Sequence, residues 1–208
     1  MKYEWRKMEK NFYLPKKKPG IIEIPKFNFF SVSGKGNPNN EFFKEYIGVL
    51  YSLSYAIRMS PKNGYAPDDY YEYTVFPLEG VWDISEEAKK NFSELNKDDF
   101  VFDMMIRQPD FVDETYAEKI IQITKKNKPH ELLDEVKFVS IEEGKCVQMM
   151  HMGSYDSEPK SFKMMAEFTS EQGFKRSSKK HREIYLSDPR RANPEKLKTV
   201  LRFRIEEK

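Results

Sequence analysis

The same order of predicted elements occurs twice along this chain of 208 residues. Gly36 and Gly153 each lie twelve positions after an isoleucine, and each glycine ends a predicted strand. A proline, Pro38 or Pro159, then starts an amphipathic helix, because proline is well tolerated at the first helical position. An internal repeat restricts the possible folds more strongly than any single motif, because both copies must adopt the same local structure.

Each predicted helix leads to a strand that carries an acid and a tyrosine and ends at a proline. The first is Glu72-Tyr73 up to Pro77, and the second is Glu183-Ile184-Tyr185 up to Pro189. The shared unit is strand, helix, strand, strand. We expect two such units to join in an antiparallel sheet with both long helices on one face, which is an α+β fold. A groove between the copies would then receive Glu72 and Glu183 from opposite sides.

The domain boundaries follow from this repeat. Residues 1–20 are basic and read as an N-terminal arm, and residues 21–208 read as one small-molecule-binding domain. Within the domain, repeat one covers about 21–108, connecting helices cover about 109–135, and repeat two covers about 136–208. The strands predicted in repeat one include 21–25, 27–34 and 69–77, and repeat two has strands at 136–141 and 146–152 joined by a turn.

Composition excludes several classes of protein. Hydrophobic residues make up only 38% of the chain, and no apolar run is long enough to span a bilayer. The first residues lack an apolar signal core, and the single cysteine, Cys146, fits a reducing compartment, so we expect a cytoplasmic protein without membrane contact. The net charge of +2 does not favour nucleic acid. The basic cluster from Lys175 to Arg182, with Arg190 and Arg191, reads as solvated surface.

Residues 180–189 read as a strand, so alternate side chains share a face. His181, Glu183, Tyr185 and Ser187 then lie on one face, and Arg182 lies on the other. Glu183 is either a solvated acid on an edge strand or a pocket acid that binds a cation, a water or a hydroxyl. Because Glu183 lies at the predicted junction of the two copies, we give these two interpretations about equal weight.

Aromatic residues are abundant, at 14% of the chain. A cage of Trp82, Tyr155, Tyr185 and either Tyr71 or Tyr73 could stack on a planar or cationic ligand, although each of these residues could also be ordinary core. His151 could line the groove or be a core histidine. Cys146 and His151 would face opposite ways, so we expect no metal site, and no cofactor motif is present.

Two sets of residues resemble a known family. Residues 147–155 and Glu183-Ile184-Tyr185-Leu186-Ser187-Asp188-Pro189 resemble the GyrI-like small-molecule-binding domain. Residues 34–39, 50–59 and Pro77-Leu78-Glu79-Gly80-Val81-Trp82 are similar to its stand-alone branch, the cyclopropanoid cyclopropyl hydrolases. The resemblance covers about 21–205.

The resemblance implies a fold, a site and an activity. The implied fold is the tandem repeat of the GyrI-like and SOUL-like proteins, and the family's groove glutamate matches Glu183. The hydrolase branch implies water addition to the strained ring of DNA-alkylating compounds, with Glu183 as general base and Tyr185 as hydrogen-bond donor. The alternatives are a module that only binds or sequesters ligands, or a modulator of a partner protein such as gyrase; the partner is not identified.

Overall fold

The computed structural model describes residues 2–90, 96–188 and 192–208. The α-helices in these ranges are α1 (Trp5–Met8), α2 (Lys10–Tyr13), α3 (Phe43–Arg58), α4 (Glu86–Lys90), α5 (Glu114–Asn127) and α6 (Glu158–Glu171). The strands are β1 (Gly20–Lys35), β2 (Leu78–Ile84), β3 (Phe100–Arg107), β4 (Lys137–Met152), β5 (Phe174–Arg176), β6 (His181–Tyr185) and β7 (Lys198–Glu207).

The chain is a mixed fold of helices and antiparallel strands, as the sequence predicts. The elements β1, α3, β2 and β3 follow one another in the first half, and β4, α6, β6 and β7 follow in the same order in the second. The short elements α4 and β5 are insertions, and α5 lies between the two copies. The predicted tandem repeat of strand, helix, strand and strand is therefore confirmed.

The chain forms two compact units. The first unit consists of Met1–Glu4, Phe27–Leu78 and Asp83–Ile141, and the second consists of Trp5–Lys26, Glu79–Trp82 and Glu142–Lys208. Strands β1, β2 and β4 each contribute residues to both units. The division into an arm at 1–20 and two sequential repeats stays a prediction.

The first unit is built on the pairing of β1 with β3. The two strands are antiparallel, from Phe29 opposite Arg107 to Lys35 opposite Val101. Gly34 is required in this pairing because a Cβ there would lie only 2.5 Å from the ring of Phe102. The same ring packs edge-on against Phe43 and Tyr46 of α3. The glycine therefore allows the aromatic face of the helix to approach the sheet closely.

The second unit is organised around β7. This strand pairs antiparallel with β4, β5 and β6, and its register places Arg182 of β6 opposite Arg202. Helix α6 covers a core to which β4, β7 and the helix itself contribute. The buried members of this core are Val147, Met149, Met165, Leu201, Phe203 and Ile205. Burial of these side chains is the main force that holds α6 on the strands.

A buried network of ion pairs also stabilises the second unit. Arg182 is only 2% exposed, and it binds Glu79 at 2.7 Å and Glu143 at 3.0 Å. Glu143 in turn binds Arg202 at 3.1 Å. Burial by itself would raise the pKa of Glu143, but Arg182 and Arg202 overcome that effect and lower it. The prediction that Arg182 is solvated surface is therefore wrong, while Arg190 and Arg191 lie outside the described residues.

Arg202 also binds the segment that precedes β1. Its guanidinium donates to the carbonyl oxygen of Phe12 at 2.8 Å. The side chain of Gln148 donates to the carbonyl of Asn11 at 2.7 Å. Trp5 and Tyr13 are buried, and their ring centroids are 5.2 Å apart. The basic N-terminal segment is thus packed in the second unit through its aromatic residues.

The strand predicted at residues 69–77 is not present. Tyr73 forms one isolated bridge with Tyr3, and the rest of this segment is irregular. The strand of this copy is β2, which begins at Leu78, directly after the segment predicted to be a strand. Glu72 is exposed and outside a strand, so its predicted place on the floor of a groove is wrong. Of the two acids on β2, Glu79 is the one that binds Arg182.

Two predicted breaks are absent, because β1 and β4 are each continuous over 16 residues. The turn predicted at residues 142–145 lies inside β4. Gly144 has a φ of +65° there, which permits a local kink of the strand without reversal. The helix predicted from Pro38 begins only at Phe43, because Asn37 accepts a hydrogen bond from the backbone of Asn39 and closes a separate turn.

In the described ranges, none of the helices combines the length and the apolar character needed to cross a bilayer.

We expect Glu143→Gln to destabilise the chain strongly. The change leaves the positive charges of Arg182 and Arg202 buried and undercompensated, which costs about 3–5 kcal/mol when one partner of a buried pair is removed. Urea unfolding followed by circular dichroism measures the difference. Because folding lowers the pKa of Glu143, its contribution is complete above the ordinary glutamate range and is lost as the pH falls through the folded value.

The matched control is Glu206→Gln. Glu206 pairs with Lys175 at 3.5 Å, and both side chains are more than half exposed. Loss of such a surface pair costs roughly 0–1 kcal/mol. Equal destabilisation by the two variants would show that the buried network does not contribute as proposed.

Candidate functional site

Strand β6 brings the predicted acid and tyrosine together on one face. The hydroxyl of Tyr185 donates to Oε2 of Glu183 at 2.8 Å, and Nε2 of His181 lies 3.0 Å from Oε1 of the same carboxylate. Arg182, between them in sequence, points to the opposite face and its ion pairs. Glu183 is 8% exposed, so it is a buried acid and not a solvated one.

Trp82 extends this arrangement from β2. Its indole N–H donates to the hydroxyl of Tyr185 at 2.8 Å. The hydroxyl can accept this bond and still donate to Glu183, so the two bonds run in one direction toward the carboxylate. Such chains strengthen each other where water is scarce. Burial, and then the charge of Glu183, raise the pKa of Tyr185 well above its ordinary value, which keeps the hydroxyl a donor.

Glu158 is a second buried carboxyl at this place, and the sequence reading missed it. It is the first residue of α6, it is 6% exposed, and its side chain is hydrogen-bonded to Glu183. Burial raises its pKa far above the glutamate range, and the neighbouring charge of Glu183 raises it further. Both effects favour the neutral form of Glu158, and a neutral carboxyl can donate a hydrogen bond to Glu183.

The N-terminus of α6 does not reverse this outcome. A helix N-terminus favours a negative side chain by about 0.3–1 kcal/mol. Two like charges at about 4 Å repel by roughly 4 kcal/mol at an effective dielectric constant of about 20. The repulsion is the larger effect, and the desolvation of a second carboxylate adds to it. In the sequence, a glutamate beside a helix-starting proline reads only as a favourable first-turn residue, so nothing there marks it as a site residue.

Tyr155 and Phe162 provide aromatic surface beside the two carboxyls. The ring of Tyr155 stands perpendicular to that of Tyr185, with centroids 6.0 Å apart, and Tyr155 is 39% exposed. The ring of Phe162 lies 4.7 Å from that of His181. Burial, followed by the charge of Glu183, raises the pKa of Tyr155 to about 12, so its hydroxyl is a neutral donor over the physiological range.

We call Trp82, Tyr155, Glu158, His181, Glu183 and Tyr185 the glutamate cluster. All six residues belong to the second unit. Tyr155 is the most exposed of them, which makes it the member nearest to an entering ligand. The cluster offers two adjacent carboxyls, phenol donors and aromatic faces. These groups suit proton transfer and the binding of a flat molecule.

His151 has a separate environment. Its Nδ1 lies 2.9 Å from the hydroxyl of Ser161, and its Nε2 lies 3.1 Å from the carbonyl oxygen of Ser154 and 3.2 Å from the hydroxyl of Ser157. It is buried, and both ring nitrogens have partners. These contacts favour the core role, in which His151 fixes the start of α6; ligand contact stays a prediction.

Tyr71 and Tyr73 belong to the first unit. Tyr73 is buried, and its hydroxyl donates to the carbonyl of Ser54 at 3.3 Å. Tyr71 is partly exposed, and its ring packs edge-on against Phe111 and tilted against Tyr3. Of the two, Tyr71 therefore has the side chain with surface left to offer a ligand, and its role as a ligand contact also stays a prediction.

The described part of the chain contains no group of three or more His, Cys, Asp or Glu side chains arranged to hold a metal ion.

Solved structures from Listeria innocua are similar to this chain over nearly its whole length. One, described as an uncharacterized conserved protein, is 40% identical with a TM-score of 0.90, covering 98% of this chain and all of the other. Another, described as a hydrolase, is 38% identical with a TM-score of 0.88 and the same coverage. A second hydrolase structure from this organism is 40% identical with a TM-score of 0.89, covering 99% of this chain and all of that one.

A more distant structure shows the same fold. The EcmrR C-terminal domain is 14% identical with a TM-score of 0.57, and the match covers 92% of this chain and 98% of that domain. No curated protein sequence matches the chain. The family description of the GyrI-like small-molecule-binding domain matches residues 17–206. With the tandem repeat and the buried glutamate of β6 in place, the chain belongs to the GyrI-like small-molecule-binding domain family.

Proposed function

We propose that this protein is a hydrolase that adds water to the strained cyclopropane ring of a flat, electrophilic small molecule. The observation that carries the proposal is the run of hydrogen bonds from Trp82 through Tyr185 to Glu183, which orients one buried carboxylate. The similarity to Listeria proteins described as hydrolases supports the general class of reaction. The cyclopropane substrate comes from the family resemblance in the sequence.

In this reaction Glu183 acts as the general base. It accepts a proton from a water molecule while the water oxygen forms a bond to a ring carbon. The C–C bond between that ring carbon and the carbon joined to the conjugated carbonyl breaks, and its electron pair moves into the carbonyl, whose oxygen becomes an anion. That oxygen later takes a proton from solvent. A positioned general base contributes about 10²- to 10⁴-fold to such a step.

The aromatic residues serve binding and charge stabilisation. Trp82 and Tyr155 offer faces for stacking on a flat ligand. Tyr155 is the natural donor to the oxygen that gains charge, because Tyr185 already donates to Glu183. Burial raises the pKa of Tyr155 to about 12, so its hydroxyl remains a donor at neutral pH.

We expect Glu183→Gln to abolish turnover while ligand binding is retained. The amide keeps the size of the side chain and can still accept from Tyr185, but it is not a base, so kcat should fall by about 10²- to 10⁴-fold. The substrate is a spirocyclopropyl cyclohexadienone, and mass spectrometry follows the water-added product. Fluorescence titration with the ring-opened product measures binding. Glu206→Gln, at an exposed surface position, is the control.

Two results would contradict this proposal. If Glu183→Gln turned over normally, the cluster would not be the catalytic site. If the wild-type protein bound the compound but left it unchanged, the chain would be a binding module with no hydrolase activity toward this ring.

We also expect Tyr155→Phe to lower kcat without weakening binding. The substitution keeps the aromatic face and removes only the hydroxyl that would stabilise the developing oxyanion. Loss of one such donor typically costs about 10²- to 10³-fold in kcat. Tyr155→Leu, which also removes the ring, should raise Kd in addition. Equal kcat for Tyr155→Phe and the wild-type protein would remove Tyr155 from the reaction.

A further inference from the structure

His181 is the member of the glutamate cluster whose role the proposed reaction leaves open. Its Nε2 lies 3.0 Å from Oε1 of Glu183, while the hydroxyl of Tyr185 donates to Oε2 at 2.8 Å. The three residues occupy alternate positions of β6, so their side chains share one face of the strand. The carboxylate of Glu183 is therefore held on both oxygens by its neighbours on the same strand.

The imidazole of His181 is fixed by contacts on several sides. Its ring stands edge-on to the ring of Phe162 in α6, with centroids 4.7 Å apart. Phe162 in turn packs against the buried core of the second unit. The chain just before the ring is also held, because Arg176 donates to the carbonyl oxygen of Lys180 at 3.0 Å. The imidazole thus has an aromatic neighbour, an anchored backbone and an acceptor at its tip.

The contact between His181 and Glu183 is largely shielded from water. The two side chains are 23% and 11% exposed, whereas the surface pair of Lys175 and Glu206 has both side chains more than half exposed. Away from water a hydrogen bond is stronger than at the surface. Strand β6 already has its anchor on the other face, where Arg182 binds its carboxylates. The contact of His181 therefore acts mainly on the orientation of Glu183.

We propose that His181 is a positioning residue for the hydrolysis: its Nε2–H and the hydroxyl of Tyr185 fix the plane of the Glu183 carboxylate for the attacking water. This inference rests on the proposed function of the glutamate cluster. An ionised carboxylate only accepts hydrogen bonds, so the ring nitrogen that faces it carries a proton. One donor on each oxygen still leaves acceptor capacity for a water. A base held in this way is preorganised before the water arrives.

Loss of the imidazole donor should affect the chemical step and not the binding of the ligand. One oxygen of Glu183 would then be released, and the carboxylate could turn about its remaining bond to Tyr185. It would still be a base, and the aromatic faces of Trp82 and Tyr155 would be unchanged. A misplacement of about 1 Å at a reacting group can cost about 10²-fold in rate.

The first test is His181→Phe in the full chain. Phenylalanine keeps a flat ring against Phe162 and removes the donor, so kcat for the spirocyclopropyl cyclohexadienone should fall by about 10- to 100-fold. The Kd for the ring-opened product should be unchanged. The matched control is His130→Phe, the same substitution at an exposed histidine of the first unit, which should keep the wild-type kcat. Equal kcat for His181→Phe and the wild-type protein would overturn the inference.

A double-mutant cycle separates positioning from a structural role. If His181 acts through Glu183, adding His181→Phe to Glu183→Gln should lower kcat no further, because the base that the imidazole orients is already gone. Single-turnover reactions followed by mass spectrometry give the slow rates of these variants. The same fold-loss of kcat in both backgrounds would show that His181 acts independently of Glu183, and would overturn the inference.

Proton NMR tests the hydrogen bond without any turnover. The chain has three histidines, so variants can assign the ring N–H signals. A downfield N–H resonance should be lost in His181→Phe, should move upfield in Glu183→Gln and should be unchanged in His130→Phe. Absence of this resonance from the wild-type protein would overturn the inference and leave the proposed hydrolase standing. A wild-type protein that shows the resonance but does not turn over the substrate would overturn the hydrolase and the positioning role together.

Discussion

The buried ion pairs of Arg182 are the interaction on which the second unit depends. Arg182 is in the middle of β6, and its guanidinium is bound to Glu79 and Glu143. Side chains alternate along a strand, so fixing Arg182 on one face fixes Glu183 and Tyr185 on the other. A slip of one residue would move Arg182 away from its carboxylates and exchange the two faces. The cost of an unpaired buried charge makes that slip unfavourable, and the position of Glu183 is secured by its neighbour.

The carboxyls of Glu79, Glu143, Glu158 and Glu183 in this unit are largely removed from solvent, and they are stabilised in two different ways. Glu79 and Glu143 are paired with arginines. Glu183 instead receives a hydrogen bond from Tyr185, and Glu158 meets Glu183, whose charge and the burial of the site raise the pKa of Glu158. The first two carboxyls are therefore bound to arginines and serve the fold. The last two are like groups placed side by side, which is more typical of a functional site than of a structural pair.

The sequence predicts much of the fold because the fold depends on short-range patterns. Hydrophobic periodicity and the positions of glycine and proline predict the order of the elements. They also predict the helices α5 and α6 and the alternation of side chains along β6. The predictions fail where contacts with residues distant in sequence override the local pattern. Tyr70-Tyr71-Glu72-Tyr73 has strand-like composition, but its aromatic rings pack against Phe111 instead of joining a sheet. Gly144 resembles a turn residue, yet β4 continues through it from Lys137 to Met152 and pairs with β7 from Cys146 onward.

The site was predicted only in part for a similar reason. Glu183 and Tyr185 are on one strand, so their proximity follows from spacing of two residues. Trp82 reaches Tyr185 across 103 positions, and its selection rested on residue type and on resemblance. Glu158 meets Glu183 across a helix–strand contact. The role of Glu158 depends on its burial and on its contact with Glu183. Neither of these can be read from a single sequence.

The charge of the glutamate cluster also limits its ligands. With Glu158 in the neutral form that burial favours, Glu183 is the carboxylate of the cluster, and the phenols of Tyr155 and Tyr185 remain neutral. An anionic ligand would meet a buried carboxylate at short range, with little water to screen the repulsion. A neutral ligand meets aromatic faces and a base, and a cationic ligand would pair with that base and occupy the lone pairs that a water needs. For the proposed hydrolase, the cluster therefore favours neutral molecules as substrates and cations as ligands that would block the reaction.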